Sequence, residues 1–288
     1  MKIGIQTDLL DTNGYGRWNE QMYIKLAEHG FACTDFAMAN TNTPIYNTSL
    51  NNAEKILLHE KRLADEAGIE IVQTHGPWRW PAQDLSCADR TDRMEKMKKA
   101  IHFTSLLGCK RCIVHPIMPY GISDKNTPEA IETYRMNMEF FTELLKTARQ
   151  YGVTICLENM PYDKFSLAGV SSLCKLVGEV NDDYLKICLD TGHSFVLGEA
   201  TLSSEIKMLG RYLEALHIHD NKMNTDLHLM PYFGNIDWKD FAKALKDIDY
   251  KGNFTLETMP PRKLPTPIFE QMCILLVQTA QEIVSYLK

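Results

Sequence analysis

Several features are missing from this chain, and each absence narrows the reading. No apolar run approaches the ~20 residues of a membrane span, so no membrane partner is expected. The opening Met1-Lys2-Ile3-Gly4-Ile5 passes straight into a strand-like run without the long apolar region of a signal peptide. There is no low-complexity stretch and no linker-like segment, so residues 1–288 are expected to form one domain. An excess of basic charge is also missing: 31 Lys and Arg stand against 37 Asp and Glu, a net charge of -6. That balance gives no general reason to expect a nucleic acid or other polyanion. The eight cysteines lack a disulfide-like arrangement. Cys33, Cys109, Cys112, Cys156, Cys174, Cys188 and Cys273 are scattered through apparent strands and helices, and Cys87 lies in a loop. Reduced, mostly buried thiols in a cytoplasmic protein fit this pattern. Cys109-Lys110-Arg111-Cys112 has no second pair to complete a metal or redox site, so it reads as strand packing.

What is present is alternation. Strand-like runs at Lys2–Thr7, Ala32–Met38, Glu70–Thr74, Cys112–Val114, Val153–Leu157, Leu185–Leu189, Leu213–Leu216 and Phe254–Leu256 are separated by helix-like segments. Those helices read as Glu20–His29, Ala53–Ala67, Arg93–Leu107, a long helix around residues 131–148, Ser171–Val180, Leu202–Arg211, a helix from an Asp237 N-cap through Leu245, and Phe269–Leu287. In the long helix, Ile131, Tyr134, Met138, Phe141, Leu145 and Ala148 step by three and four and are expected to form its apolar face. Gly30, Gly68, Gly108 and Gly152 each close a helix just before an apolar run, where a left-handed residue turns the chain back toward a sheet. Eight such units predict a (β/α)8 barrel of the α/β class. An open doubly wound sheet is the alternative, but the first turn, Gln6-Thr7-Asp8-Leu9-Leu10, has no G-x-G-x-x-G.

In a barrel the active site lies at the C-terminal ends of the strands. Here six consecutive strands end in His75, His115, Glu158, Asp190, His217 and Glu257. Any one of the histidines would suit a hydrogen-bonded rim position. All six together point to a shared metal centre. His193, His219, Asp226 and His228 add metal-competent groups in the same stretch. Carboxylates and imidazoles without a clear thiolate suit Mn²⁺, Mg²⁺, Co²⁺, Zn²⁺ or Fe²⁺. Cys156 and Cys188 share the side of Glu158 and Asp190 by the period of two, and read as small core residues deeper in the barrel. Glu158 and Glu257 come from well-separated strands and could serve as paired acid and base on one substrate, through an enediolate. His193 can contact a substrate hydroxyl. In the loop His75-Gly76-Pro77-Trp78-Arg79-Trp80, Trp78 and Trp80 offer stacking faces for a sugar, and Arg79 offers an anion contact. The same loop could instead pack on the rim or form a subunit contact in a homo-oligomer. Arg262-Lys263 reads as a solvated loop.

Leu157-Glu158-Asn159, Leu189-Asp190-Thr191-Gly192-His193, Leu216-His217-Ile218-His219-Asp220-Asn221, Asp226-Leu227-His228-Leu229 and Leu256-Glu257 resemble the xylose isomerase-like TIM barrel superfamily over nearly the whole chain. That group includes sugar isomerases, ketose 3-epimerases, inosose-converting enzymes and endonuclease IV. Resemblance to its epimerase branch implies one metal at Glu158, Asp190, His217 and Glu257, with both glutamates catalytic and His193 on the substrate. Two positions depart from that branch: Lys164 and Met223 stand where it has Glu and Arg. Resemblance to endonuclease IV implies up to three zincs, using His75, His115, His193, Asp226 and His228 in addition. Its Cys is replaced here by Gly192, and its arginine-bearing loop is shortened to Met223-Asn224-Thr225. The expected activity is therefore a metal-dependent sugar, sugar-acid or inosose isomerase or epimerase. The alternative is a multi-zinc phosphodiesterase acting on abasic DNA.

Overall fold

Apolar residues placed every second position, each run ending in a polar side chain, become the strands of a parallel barrel. The computed structural model describes residues 1–7, 20–78, 84–222, 225–261 and 263–288. The barrel strands are β1 (Ile3–Gln6), β2 (Cys33–Ala37), β3 (Glu70–His75), β4 (Arg111–Val114), β5 (Thr154–Glu158), β6 (Leu185–Asp190), β7 (Leu213–His217) and β10 (Phe254–Leu256). They pair in parallel in the order β10-β1-β2-β3-β4-β5-β6-β7. A parallel bridge between Ile218 and Leu256 joins the two ends. Around the ring lie α1 (Glu20–His29), α2 (Pro44–Asn47), α3 (Leu50–Glu66), α4 (Cys87–Leu106), α5 (Glu129–Tyr151), α6 (Val170–Val180), α7 (Thr191–Leu197), α8 (Leu202–Leu209), α9 (Trp238–Asp247) and α10 (Thr266–Ser285). The expected TIM barrel is the fold observed. Among the described residues no helix is long and apolar enough to cross a membrane.

The core lies in two shells. The larger one packs the helices onto the outside of the barrel. A small inner one, Ile113, Cys156, Cys188 and Ala215, plugs the barrel beneath the ligand-bearing strand ends. Gly30, Gly68, Gly108 and Gly152 all take positive φ. Gly152 caps α5 at φ 64°, and its N–H reaches back to Ala148 and Arg149 carbonyls.

Several element boundaries differ from the sequence expectation. α4 begins at Cys87, not Arg93, because Ser86 and Asp89 form a capping box. Its first turns carry no apolar period. α3 likewise starts early, with Ser49 accepting from Asn52 N. The buried face of α5 is the expected one in part: Phe141, Leu145 and Ala148 are buried and Tyr134 and Met138 pack half-buried against the core. Ile131 is 79% exposed, whereas Thr133, Asn137, Phe140, Phe141, Leu144, Leu145 and Ala148 are buried. Asn137 holds a core position because its amide clamps the backbone of Ile117 from both sides, at 2.9 Å to N and to O. Three features were not expected: the four-residue α2, the seven-residue α7, and an antiparallel hairpin of β8 (Asp220–Lys222) with β9 (Thr225–Leu229), where the sequence reads as a polar loop.

Asp220 organises the chain between that hairpin and α9. It is fully buried and accepts from Asn221 N, Tyr232 N, Ile236 N and Trp238 Nε1 at 2.9–3.1 Å. Asp220→Ala should leave these buried donors unpaired and cost at least about 3 kcal/mol. Urea unfolding followed by the fluorescence of the buried Trp238 measures it. A change below about 1 kcal/mol would refute the role.

Candidate metal centre at the strand ends

Period-two alternation carries each inner-shell residue to a polar residue at the barrel mouth: Gln73 to His75, Ile113 to His115, Cys156 to Glu158, Cys188 to Asp190, Ala215 to His217 and Thr255 to Glu257. The pairing of β6 with β7 shifts between Ile187 and Cys188, which sets Asp190 opposite His217. The six strand-end residues and the four nearby ones converge as three neighbouring groups. Ligand atoms of Glu158, Asp190, His217 and Glu257 all lie within 4.8 Å of one another. The same holds for His75, His115 and Glu158, and for His193, His219, Asp226 and His228. Glu158 belongs to the first two groups.

In the first group His217 Nδ1 faces Glu158 Oε1 at 2.7 Å and Glu257 Oε2 at 3.0 Å. Glu158, Asp190 and His217 have at most 1% of their side chains exposed, while Glu257 keeps 14%. Glu257 thus stands at the opening, and Gln6 on β1 donates to its Oε1 at 3.2 Å. Asp190 does two jobs at once. It ends β6 and is the N-cap of α7, its Oδ1 accepting from His193 N at 2.7 Å. The Asp-x-x-His spacing therefore fixes both residues by one capping bond.

Three imidazoles hand their Nδ1 hydrogen to a backbone carbonyl: His75 to Gly76 at 2.8 Å, His193 to Asn159 at 2.8 Å, and His228 to Glu257 at 2.7 Å. Each then turns Nε2 inward. His75 Nε2 lies 3.1 Å from His115 Nε2 and 3.4 Å from Glu158 Oε2. His193 and His228 Nε2 lie 3.4 and 3.1 Å from Asp226 Oδ2. His228 reaches this position with a φ of 46°, unusual for a residue with a side chain.

Burial opposes charge here, but the neighbours outweigh it. For His217, burial works against the proton, yet the carboxylates of Glu257, Glu158 and Asp35 hold its pKa well above the ordinary value. Glu158 is held well below the carboxylate range, against its burial, by His217 and His115. Glu257 is lowered by His217 in the same way. Burial also opposes protonation of His193 and His228, but Asp190 and Asp226 lift the first to about 10, and Asp226 and Glu257 lift the second to about 9. His115 is pushed down to about 4, mainly by burial. Protons thus occupy the places where a cation would sit. Burial pushes the Cys188 thiol well above its usual value, which makes it a poor ligand. The donor set fits a divalent cation on a geometric ground as well. Glu158 Oε2 and Glu257 Oε2 are buried and, among the described residues, accept no hydrogen bond, although imidazole nitrogens stand 2.9 and 3.0 Å away. Oxygens and nitrogens arranged side by side around one point are disposed as ligands, not as donor–acceptor pairs.

Trp78 is half-buried, its ring 5.0 Å from that of His115. Arg79, Trp80, Met223 and Arg262 lie outside the described residues. Four supporting residues went unread in the sequence. Asn159 spans β5 and β6: its Oδ1 accepts from Asp190 N at 2.8 Å and its amide donates to Asp190 O at 3.0 Å. Asp35, Gln6 and Gln73 are polar residues inside otherwise apolar strands, and that contrast was the available signal.

The fold and the site together now bear comparison with known proteins. The model of the xylose isomerase-like TIM barrel matches residues 24–272. The chain belongs to that family. It is 27% identical over 241 residues to the uncharacterised protein MJ1311 of Methanocaldococcus jannaschii, covering 81% of this chain and 76% of that one. It is 29% identical over 116 residues to a D-psicose 3-epimerase of Enterocloster bolteae, covering 40% of this chain and 36% of the relative. The solved structure of a D-tagatose 3-epimerase-like protein superposes with a TM-score of 0.78 at 24% identity, over 100% of this chain and 98% of that one. At that identity the superposition speaks for the fold.

Within the family frame, His219 has a contact that depends on its neighbour Gly192. Its Nε2 lies 2.9 Å from Asp190 Oδ1, and its ring stacks on His228 at 4.0 Å and 8°. A Cβ on Gly192 would stand 1.9 Å from His219 Cε1. Gly192→Ala should therefore cost about 1–3 kcal/mol from overpacking, and adding His219→Gly should recover most of it. A double-mutant cycle by chemical denaturation measures the coupling. Additive losses would disprove it.

Proposed function

We propose that this chain is a divalent-metal-dependent isomerase or epimerase of a sugar, sugar acid or inosose. One observation carries the reading: Glu158 and Glu257, delivered from β5 and from the end of β10, meet at Nδ1 of His217, at 2.7 and 3.0 Å. Similarity to the D-psicose 3-epimerase of Enterocloster bolteae and to the D-tagatose 3-epimerase-like structure supports the reaction class. Glu158, Asp190, His217 and Glu257 would hold the metal. When bound, it polarises the substrate carbonyl and offsets the charge of an enediolate. Oxygen and imidazole donors suit Mn²⁺, Mg²⁺, Co²⁺, Zn²⁺ or Fe²⁺. Both carboxylates are held ionised, so either can accept a proton from a substrate carbon. One, ionised, would abstract; the other, having first taken a proton from solvent, would return it to the substrate carbon, and the roles exchange in the reverse direction. His193, buried and anchored through Nδ1, would meet a substrate hydroxyl with Nε2. Trp78 would offer a sugar a stacking face beside His115.

Glu257→Gln should lower turnover about 10²–10⁴-fold, because an amide cannot take the proton. Its metal affinity should change far less. A panel of ketoses, inososes and sugar acids, run in deuterium oxide, measures it. The wild type should place solvent deuterium on the substrate carbon, and both Glu257→Gln and Glu158→Gln should fail to. Conversion without exchange would replace two-base transfer with a hydride shift. Near-normal rates in Glu257→Gln would leave Glu257 as a ligand alone.

A second reading has its own observation. The groups His75–His115–Glu158 and His193–Asp226–His228 flank the first, and all nine residues resemble the endonuclease IV set. A multi-zinc phosphodiesterase on abasic DNA would use them together. The net charge of -6 weighs against a DNA partner. We expect one tightly held ion per chain and no incision of an abasic duplex. Three zincs by elemental analysis, with incision lost in Glu158→Gln, would reverse the choice.

A further inference from the structure

β2 carries one charged side chain, and it is turned into the barrel. Asp35 is fully buried. Its Oδ2 accepts from His217 Nε2 at 2.9 Å and from Gln73 Nε2 at 2.9 Å. Among the described residues its Oδ1 accepts no hydrogen bond. Among the described residues, His217 is its ion-pair partner and no lysine or arginine reaches it. A carboxylate so placed costs stability unless its charge is used.

The backbone sets up this contact. Pairing of β2 with β3 runs from Thr34–Ile71 to Asp35–Gln73 and skips Val72. Such an irregularity re-aims side chains, and here it places Gln73 opposite Asp35. Thr255 on β10 steadies Gln73 in turn, its hydroxyl donating to Gln73 Oε1 at 3.3 Å. Asp35 is thereby fixed between the strands, directly behind the His217 ring.

His217 differs from His75, His193 and His228 in which nitrogen it presents. Those three give Nδ1–H to a carbonyl and turn Nε2 inward. His217 turns Nδ1 to Glu158 and Glu257 instead. Nδ1 can give its lone pair to a cation only if the ring hydrogen sits on Nε2. Left alone, a neutral ring would be drawn the other way, because two carboxylate oxygens face Nδ1. An acceptor of equal strength is needed behind Nε2, and Asp35 is that acceptor.

We propose that Asp35 is a positioning residue that holds the His217 hydrogen on Nε2 and so presents Nδ1 to a divalent cation at the mouth of the barrel. This rests on the metal-site part of the proposed function and not on the sugar chemistry.

The test uses the full chain without substrate, as wild type and as Asp35→Asn, with zinc and manganese as probes. Asparagine matches the shape but can donate to Nε2, which favours the wrong tautomer. Zinc affinity, read by competition with a chromophoric chelator, should fall 10–100-fold. Circular dichroism establishes that the variant is folded. The second readout is the imidazole ¹⁵N spectrum of zinc-loaded wild type labelled at histidine. His217 should show a protonated, exchange-protected Nε2 and a ligated Nδ1. A general packing role for Asp35 would not require that signature, and the wild-type spectrum decides the question even if Asp35→Asn does not fold. A folded Asp35→Asn that binds zinc as tightly as wild type would overturn the proposal. So would a wild-type His217 that lacks a hydrogen on Nε2. A wild type that binds neither probe would overturn the metal-site reading and this inference together, whatever the sugar panel returns.

Discussion

The site depends on one electrostatic constraint. Glu158, Asp190 and Glu257 are brought to within 4.8 Å of His217 and one another in the mouth of a barrel that excludes water from three of the four. Like charges so close in a low dielectric repel strongly, and removing them from water adds a further penalty. Positive charge must be supplied on the spot. In the ion-free chain the histidines supply it, which is why His217, His193 and His228 bind protons so firmly. A divalent cation would supply it more compactly and release those protons. A cation held there would link fold stability to metal binding at this point in the molecule.

That cluster makes strict demands on the backbone around it. The β6–β7 register shift brings Asp190 level with His217. The β2–β3 shift brings Gln73 level with Asp35. α7 is capped by Asp190 itself, so a helix cap and a candidate ligand share one carboxylate. Thr191 ties the end of β6 to β7 through His219, its hydroxyl donating to His219 O at 2.8 Å and accepting from His219 N at 3.1 Å. Gly192 leaves the space that the His219 ring occupies. Such a site tolerates few small displacements, because each ligand is also a structural fastening.

Much of this was legible before any coordinates. Period-two alternation and terminal polar residues located the strand ends, and Gly30, Gly68, Gly108 and Gly152 located the returns to the sheet. Misreadings arose where polar groups satisfy one another. Ile131 was assigned to the core of α5, but the buried stripe is set by Asn137 bonding to Ile117, which no hydrophobic period reveals. The first turns of α4 are held by the Ser86–Asp89 box, not by apolar contacts. The β8–β9 segment has the sequence of a loop because its alternation is polar, and Asn221 anchors the hairpin to the distant Gly192 O at 3.1 Å.

By itself the sequence determined the barrel, the residues at its mouth and the donor chemistry that suits a hard or borderline cation. Each follows from local rules: side chains alternate along a strand, helices end at glycine, and ligand atoms are a property of residue type. Only the tertiary structure decided which donors share a centre, which nitrogen of each histidine faces it, and that Asp35 stands behind His217. These depend on strand register and on the acceptor behind each ring. Both are set by contacts between segments far apart in sequence, such as the 182 residues separating Asp35 from His217.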